Sequence, residues 1–225
     1  MSVFRLDNIL STCEKIWYFF KVNILFLIFN LPLLLFLLFV GISQVRTYLP
    51  FFMLCFIPFI PAMSAVFFCM NRILHKYDTG SLKDFITGYL YCIKEKFIVS
   101  SIYLFIVLIF WTNIEFFAIY FFPLLILFGL LFLLMLLSMP NICLLTSRYK
   151  MSVIDILKGA IMLTITKPLI TLSNFVIFTF VLMLFEIKAG TFILFISSIY
   201  GFLIIFMNQN IFKSLDAKAS EQESF

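Results

Sequence analysis

Residues 97–146 read FIVSSIYLFIVLIFWTNIEFFAIYFFPLLILFGLLFLLMLLSMPNICLLT and contain a single charged side chain, that of Glu115. A helix needs about 20 apolar residues to cross the roughly 30 Å of hydrocarbon in a bilayer, so this stretch is long enough for two spans. We expect the turn between them at residues 121–123, because proline is tolerated in the first turn of a new helix. The stretch therefore predicts a multi-pass membrane protein.

The rest of the chain has the same character. Of its 225 residues, 64% are apolar and 12% are charged. This composition excludes a soluble globular domain, in which roughly a quarter of the residues are charged. The expected fold is an all-α membrane protein: a bundle of about six transmembrane helices with one N-terminal and two cytoplasmic amphipathic helices. The six expected spans lie at about 22–43, 48–71, 97–120, 123–146, 169–187 and 190–212.

These spans divide the chain into an N-terminal interfacial helix at 1–21, a transmembrane domain at 22–212 and a polar cytoplasmic tail at 213–225. The basic residues orient them. Only Arg46 and Lys188 fall on one predicted side. The other side holds Arg5, Lys15, Lys21, Arg72, Lys76, Lys83, Lys94, Lys96, Arg148, Lys150, Lys158, Lys167, Lys213 and Lys218. Basic residues near span ends stay in the cytoplasm, so both termini are predicted there, in a cytoplasmic membrane. The net charge of +5 faces the lipid bilayer and indicates no nucleic-acid partner.

Two connections on the predicted cytoplasmic side share a plan. Ser81 and Asp84 begin one amphipathic stripe, at 82–97, and Ser152 and Asp155 begin another, at 153–165. Each pair predicts a helix start, with the hydroxyl accepting a backbone hydrogen bond. Each aspartate is followed twelve residues later by a lysine, Lys96 and Lys167. This recurrence predicts a parallel repeat of 48–120 and 123–187; chance recurrence is the alternative, because Ser-x-x-Asp is common at helix starts.

The same residues carry a resemblance. One group is Ile60-Pro61-Ala62, Ala65, Lys83-Asp84-Phe85, Tyr91 and Lys94-Glu95-Lys96-Phe97; the other is Met139-Pro140, Arg148-Tyr149, Ser152, Asp155, Leu157-Lys158, Ala160, Pro168 and Thr171-Leu172. In these residues, and over about 55–175, the chain resembles the YesL-like family of bacterial multi-pass membrane proteins. That family shows an asparagine near Glu95 and near Gly159, where this chain differs. The resemblance implies an accessory role beside carbohydrate uptake systems of the ATP-binding-cassette (ABC) type and supplies no catalytic residue.

The sequence offers little for catalysis. Its one histidine, His75, lies in a loop without the cysteines or carboxylates that a zinc site needs, and no phosphate-binding loop is present. We therefore expect no catalytic, metal or cofactor site. The candidate polar residues within the membrane are Glu115, Asn30, Asn141 and Asn174. The amides either bond across helices or line a pathway, and Glu115 either couples a cation or lies at the outer interface.

The leading functional prediction is a non-catalytic accessory or regulatory membrane protein that binds ABC permease or ATPase subunits of a sugar transporter. The candidate docking residues are Ser81, Asp84, Phe85, Lys96, Ser152, Asp155, Lys158 and Lys167. The alternative is a permease subunit or small-solute transporter in its own right. An enzyme acting on lipid or cell-wall precursors is a third hypothesis. It is disfavoured because its only candidate residues, Glu115 and His75, lie on opposite predicted sides.

Overall fold

The computed structural model describes the backbone of residues 6–75, 80–187 and 193–223, and the side chains of 13–75, 80–187 and 193–209. These residues form α-helices and one short 3-10 helix, Ile42–Gln44, and no strand. The helices are α1 Leu6–Phe29, α2 Leu31–Phe39, α3 Leu49–Phe56, α4 Phe59–Leu74, α5 Ser81–Leu90, α6 Ile93–Tyr120, α7 Phe122–Arg148, α8 Val153–Thr166, α9 Pro168–Ile187 and α10 Ile196–Glu223. The predicted all-α class is confirmed.

Four segments are long and apolar enough to cross a membrane: Leu49–Leu74, which joins α3 and α4, and the helices α6, α7 and α9. A fifth arises if α1 and α2, which are bent by 69° against each other, cross as one broken span. The described apolar part of α10, Ile196–Gln209, is shorter than a span. The described residues thus give four or five candidate spans where six were expected.

The predicted turn between the two central spans is confirmed. Phe121 is extended, with φ −156° and ψ 96°, between the end of α6 and the start of α7, and a proline follows within the first turn of α7. Two other boundaries differ from the expected ones. Helix α1 continues through residue 21 without a break, and α10 continues past residue 213 to Glu223.

The short helices α5 and α8 fold back along the helices that precede them. A Cβ on Gly88 of α5 would lie 2.9 Å from Phe68 of α4, and Asp84 lies beside Arg72, one turn further along α4. Likewise, Thr164 of α8 bonds to Asn141 of α7, and a Cβ on Gly159 of α8 would lie 3.3 Å from Leu145 further along α7. Each short helix therefore packs antiparallel on its predecessor. The expected stripe at 82–97 is also interrupted, because α5 ends at Leu90 and α6 begins at Ile93.

The helix pairs define two ends of the bundle. Helix α1 runs antiparallel to α4, because Phe26 lies against Phe59 at the start of α4 and Tyr18 is linked through Asp84 to Arg72 near its end. It also runs antiparallel to α10, with Phe19 against Phe202 and Asn23 bonded to Ser197. The start of α1, the end of α10 and the α4–α5 and α7–α8 connections therefore share one end, which we call the terminal end. The α2–α3 and α6–α7 connections lie at the opposite end.

Candidate functional site

An ion pair with a buried carboxylate joins three helices near the terminal end. Asp84 of α5 is 3% exposed, and its carboxylate lies 3.3 Å from Nε of Arg72 on α4. The hydroxyl of Tyr18 on α1 donates to its other oxygen at 3.1 Å. A carboxylate removed from water requires such partners, so Asp84 fastens α5 to α1 and α4.

This use of Asp84 corrects the expected helix start. Gly80 is the N-cap of α5, and no side chain caps that helix; Ser81 is its first residue. The prediction is wrong for α5 because the aspartate points inward to Arg72. It is confirmed for α8, where Ser152 Oγ accepts from the Asp155 N–H at 3.3 Å and donates to the Asp155 carboxylate at 2.6 Å.

Lys96 lies inside the bundle, 1% exposed, and caps the end of α5. Its Nζ donates to the carbonyl of Gly88 at 2.6 Å and lies 5.8 Å from the centre of the Tyr91 ring. A cation at the negative end of a helix is favourable, and α5 ends here. Between the two helices Cys92 adopts a positive φ of 51°, which L-residues rarely do. The lysine therefore stabilises a sharp break between α5 and α6.

Lys167, the other lysine that follows a Ser-x-x-Asp pair by the same spacing, is not buried. Lys167 follows the last residue of α8 and is exposed, as are Ser152, Asp155 and Lys158. Of the eight candidate docking residues, Asp84, Phe85 and Lys96 are buried within this chain. A partner at these short helices would thus meet mainly the exposed residues of α8.

The exposed faces of both short helices carry apolar side chains. On α5 these are Leu82, Ile86 and Leu90, spaced four residues apart. On α8 they are Ile154, Met162 and Ile165, on the same side as Lys158. Each short helix thus has one apolar face inside the bundle and a second one outside, available to lipid or to a partner.

Three asparagines and a threonine form a chain of hydrogen bonds across α7, α8, α9 and α10, which we call the amide ladder. Asn208 Nδ2 donates to Asn174 Oδ1 at 2.9 Å, and Asn174 Nδ2 donates to Asn141 Oδ1 at 3.5 Å. Asn141 Nδ2 then donates to Thr164 Oγ1 at 2.9 Å. All four residues are buried. The ladder joins the second short helix to the last two long ones.

Backbone carbonyls decide which way each amide in the ladder points. The hydroxyl of Thr164 donates its only proton to the carbonyl of Ala160, so it accepts from Asn141. At the other end, Asn208 Nδ2 also donates to the carbonyl of Ile204. These bonds determine the orientation of the Thr164 hydroxyl and of the Asn208 amide. The Oδ1 atom of Asn208 then has no partner among the described residues.

The structure thus joins two of the four predicted intramembrane polar residues, Asn141 and Asn174. Asn30 lies apart, at the bend between α1 and α2, where its Nδ2 donates to the carbonyl of Phe26 at 2.9 Å. The ladder members Thr164 and Asn208 were not among the candidates. For Asn208 the sequence offered one signal, which is that it places an amide inside the expected apolar span 190–212.

Glu115 lies near the opposite end, paired with Arg46 from the α2–α3 connection. The Arg46 Nε and Glu115 Oε1 atoms are 2.8 Å apart, and the side chains are 78% and 38% exposed. His75, at the terminal end, contacts the carbonyl of Asn71 through Nδ1 at 2.9 Å. Among the described residues, no group of three or more His, Cys, Asp or Glu side chains could hold a metal ion.

Two apolar cavities adjoin these polar groups. One, of about 260 Å³, lies between α7 and α9 and includes the ladder residue Asn174 and Thr171 in its wall. The larger, of about 760 Å³, lies between α2, α3, α6 and α7 and has Arg46 in its wall. We call the larger one the Arg46 cleft.

Comparison of the chain with protein-family profiles, curated proteins and solved structures gives no match. The arrangement of its own residues is therefore the basis for any assignment of function.

Proposed function

We propose that the chain is a non-catalytic accessory or regulatory integral membrane protein that binds permease or ATPase subunits of a bacterial carbohydrate ABC uptake system. The observation that carries this proposal is the exposed face of α8, where Ile154 and Met162 flank Lys158. An amphipathic helix that presents apolar anchors beside a charge is a common recognition element. The buried ionisable side chains Asp84 and Lys96, by contrast, bond to groups of this chain.

The proposal includes six spans with both termini in the cytoplasm. Six spans require α1 and α2 to cross as one broken helix and α10 to cross as well. The antiparallel packing of α1 on α10 supports this topology, because it brings the start of one and the end of the other to the same end of the bundle. Arg72, Lys83 and Arg148 adjoin the connections at that end, which favours a cytoplasmic position.

Membership of the YesL-like family is part of the proposal and rests on the sequence resemblance. The repeated short helix that follows a proline-containing helix supports it. Helix α4 contains Pro61 and precedes α5, and α7 contains Pro140 and precedes α8.

Site-specific crosslinking tests the docking face. A photoreactive amino acid at Lys158, in the full chain in native membranes, is expected to yield an adduct with a permease or ATPase subunit, identified by mass spectrometry. The same amino acid at Leu130 is the control, because Leu130 is also exposed but lies within the apolar helix α7. Adducts with lipid alone at both positions would contradict the proposal.

A second candidate function is transport by the chain itself. The observation in its favour is that Thr171 and Asn174 line the cavity between α7 and α9, which places polar groups of an apolar bundle beside an open space. Purified chain in liposomes that moves a sugar would establish this alternative. Absence of sugar transport in liposomes, combined with a crosslink from position 158 to a permease or ATPase subunit, would support the accessory role.

A further inference from the structure

The Arg46 cleft has the size of a ligand site and an almost entirely hydrocarbon wall. Its volume is about 760 Å³, and ligand pockets run from about 300 to 1,000 Å³. The apolar wall includes Leu33, Phe52, Leu104, Val107, Phe132 and Leu136. The polar groups of the lining residues are the Ser43 and Tyr103 hydroxyls, the Trp111 indole N–H and the Arg46 guanidinium. Such a wall suits a hydrocarbon chain and excludes a sugar or a free ion.

Two opposite charges adjoin the mouth of this cleft. Arg46 and Glu115 form an ion pair whose side chains remain 78% and 38% exposed. A guanidinium has five N–H donors, of which the contact with Glu115 uses one, and it binds phosphate well. The carboxylate has a second oxygen that accepts from an ammonium group. A neighbouring cation and anion therefore match a head group that carries both a phosphate and an ammonium.

A third polar group, the Trp111 indole, lies deeper in the cleft than the two charges. Trp111 is four residues before Glu115 on α6, which is about one helical turn, or about 5.4 Å, further into the bundle. It belongs to the cleft wall, and its Nε1 is shielded from water without a hydrogen-bond partner among the described residues. In a glycerophospholipid the ester carbonyls follow the phosphate toward the hydrocarbon, so they supply an acceptor at this level.

We propose that the Arg46 cleft binds one molecule of phosphatidylethanolamine. Arg46 binds its phosphate, Glu115 accepts from its ammonium group, and an ester carbonyl accepts from the Trp111 indole. An acyl chain fills the space between α3 and α7. A primary ammonium is specified because it donates hydrogen bonds to a carboxylate, which a quaternary ammonium cannot do.

Native mass spectrometry of the full chain tests occupancy. The chain is extracted with a mild detergent from bilayers of equal phosphatidylethanolamine and phosphatidylglycerol content. We expect one phosphatidylethanolamine per chain. Leu136→Trp, which places a large ring in the cleft, is expected to abolish this adduct, whereas Leu130→Trp on the same helix, away from the cleft, is expected to retain it. No retained lipid, or equal retention by both variants, would overturn the proposal.

A second variant pair tests the head-group contacts. Glu115→Gln removes the ammonium partner and leaves Arg46 unpaired, so the preference is expected to shift toward phosphatidylglycerol. Thr112→Ala is the control, because its exposed hydroxyl bonds to the carbonyl of Ile109 on its own helix. A preference for phosphatidylethanolamine that survives Glu115→Gln unchanged would refute the head-group assignment.

Discussion

Single amides hold the second half of the bundle together. Asn141, Asn174 and Asn208 are 2% exposed or less, and each amide bonds to a residue of another helix. Hydrogen bonds between helices in membranes contribute about 0.6 to 2 kcal/mol each. Because Asn174 both donates and accepts within the ladder, its removal breaks two bonds at once.

Asn174→Leu is therefore expected to lower the free energy of unfolding by about 1–3 kcal/mol, since it leaves the Asn208 amide N–H and the Asn141 carbonyl unpartnered. Thermal or denaturant unfolding in detergent micelles measures the effect. Ser173→Ala is the matched control, because the exposed Ser173 hydroxyl bonds to the carbonyl of Leu169 on its own helix. Equal loss in both variants would contradict a tertiary role for the ladder.

The sequence allowed the polar residues to be found but not their partners. Asn141 and Asn174 were recognisable because amides are costly in an apolar run. Their pairing depends on the rotation of α7 and α9 about their axes, and the pattern of these helices, apolar on nearly every side, does not define it. Asp84 shows the converse: its local pattern predicted a helix cap, and the tertiary contact with Arg72 was stronger.

The helix breaks lie just before prolines, and at one of them a side chain from a neighbouring helix bonds to the backbone carbonyl that the proline leaves without a partner. Pro61 has no N–H for the carbonyl of Ile57, and the hydroxyl of Ser100 on α6 donates to that carbonyl at 2.6 Å. The position of Pro61 was evident in the sequence, whereas the donor Ser100, 43 positions after the acceptor Ile57, was not. The bend after Asn30 was likewise missed, although Pro32 follows it directly.

The contact between α4 and α5 depends on a missing side chain. A Cβ on Gly88 would lie 2.9 Å from three carbons of Phe68, including its Cβ and Cγ, so Gly88→Ala is expected to force the two helices apart. We expect a loss of about 1–3 kcal/mol in the free energy of unfolding. Gly129→Ala on α7 meets nothing within 4 Å and is expected to be neutral within about 0.5 kcal/mol. Similar unfolding midpoints for both variants would argue against this packing.

The Arg72–Asp84 pair makes α5 depend on α4 and α1. Asp84→Asn removes the ion pair, so amide hydrogen exchange in α5 is expected to accelerate about tenfold, which corresponds to about 1.4 kcal/mol. Asp155→Asn, at the aspartate of the other predicted Ser-x-x-Asp pair, is expected to change exchange only in the first turn of α8, because Asp155 is exposed and contacts Ser152. Unchanged exchange in α5 would show that apolar packing alone holds it.

At the scale of the whole molecule, helix directions and charge give two separate statements about topology. Packing puts the start of α1, the start of α5 and the end of α10 at one end of the bundle. The distribution of lysine and arginine supports the proposal that this end lies in the cytoplasm. The first statement concerns the fold and the second the membrane, so an experiment can contradict either one alone.

Cysteine labelling in intact cells tests the helix packing and the membrane orientation separately. Cys13, Cys55 and Cys92 are replaced, while Cys69 and Cys143 are buried and stay. Thr47→Cys is expected to react with an impermeant maleimide in intact cells, and Lys83→Cys and Lys218→Cys only after permeabilisation. Reaction of Lys83→Cys and Lys218→Cys but not Thr47→Cys would invert the orientation and leave the packing intact. Opposite behaviour of Lys83→Cys and Lys218→Cys would refute the antiparallel placement of α10 against α1, because no orientation of the bundle puts those positions on different sides.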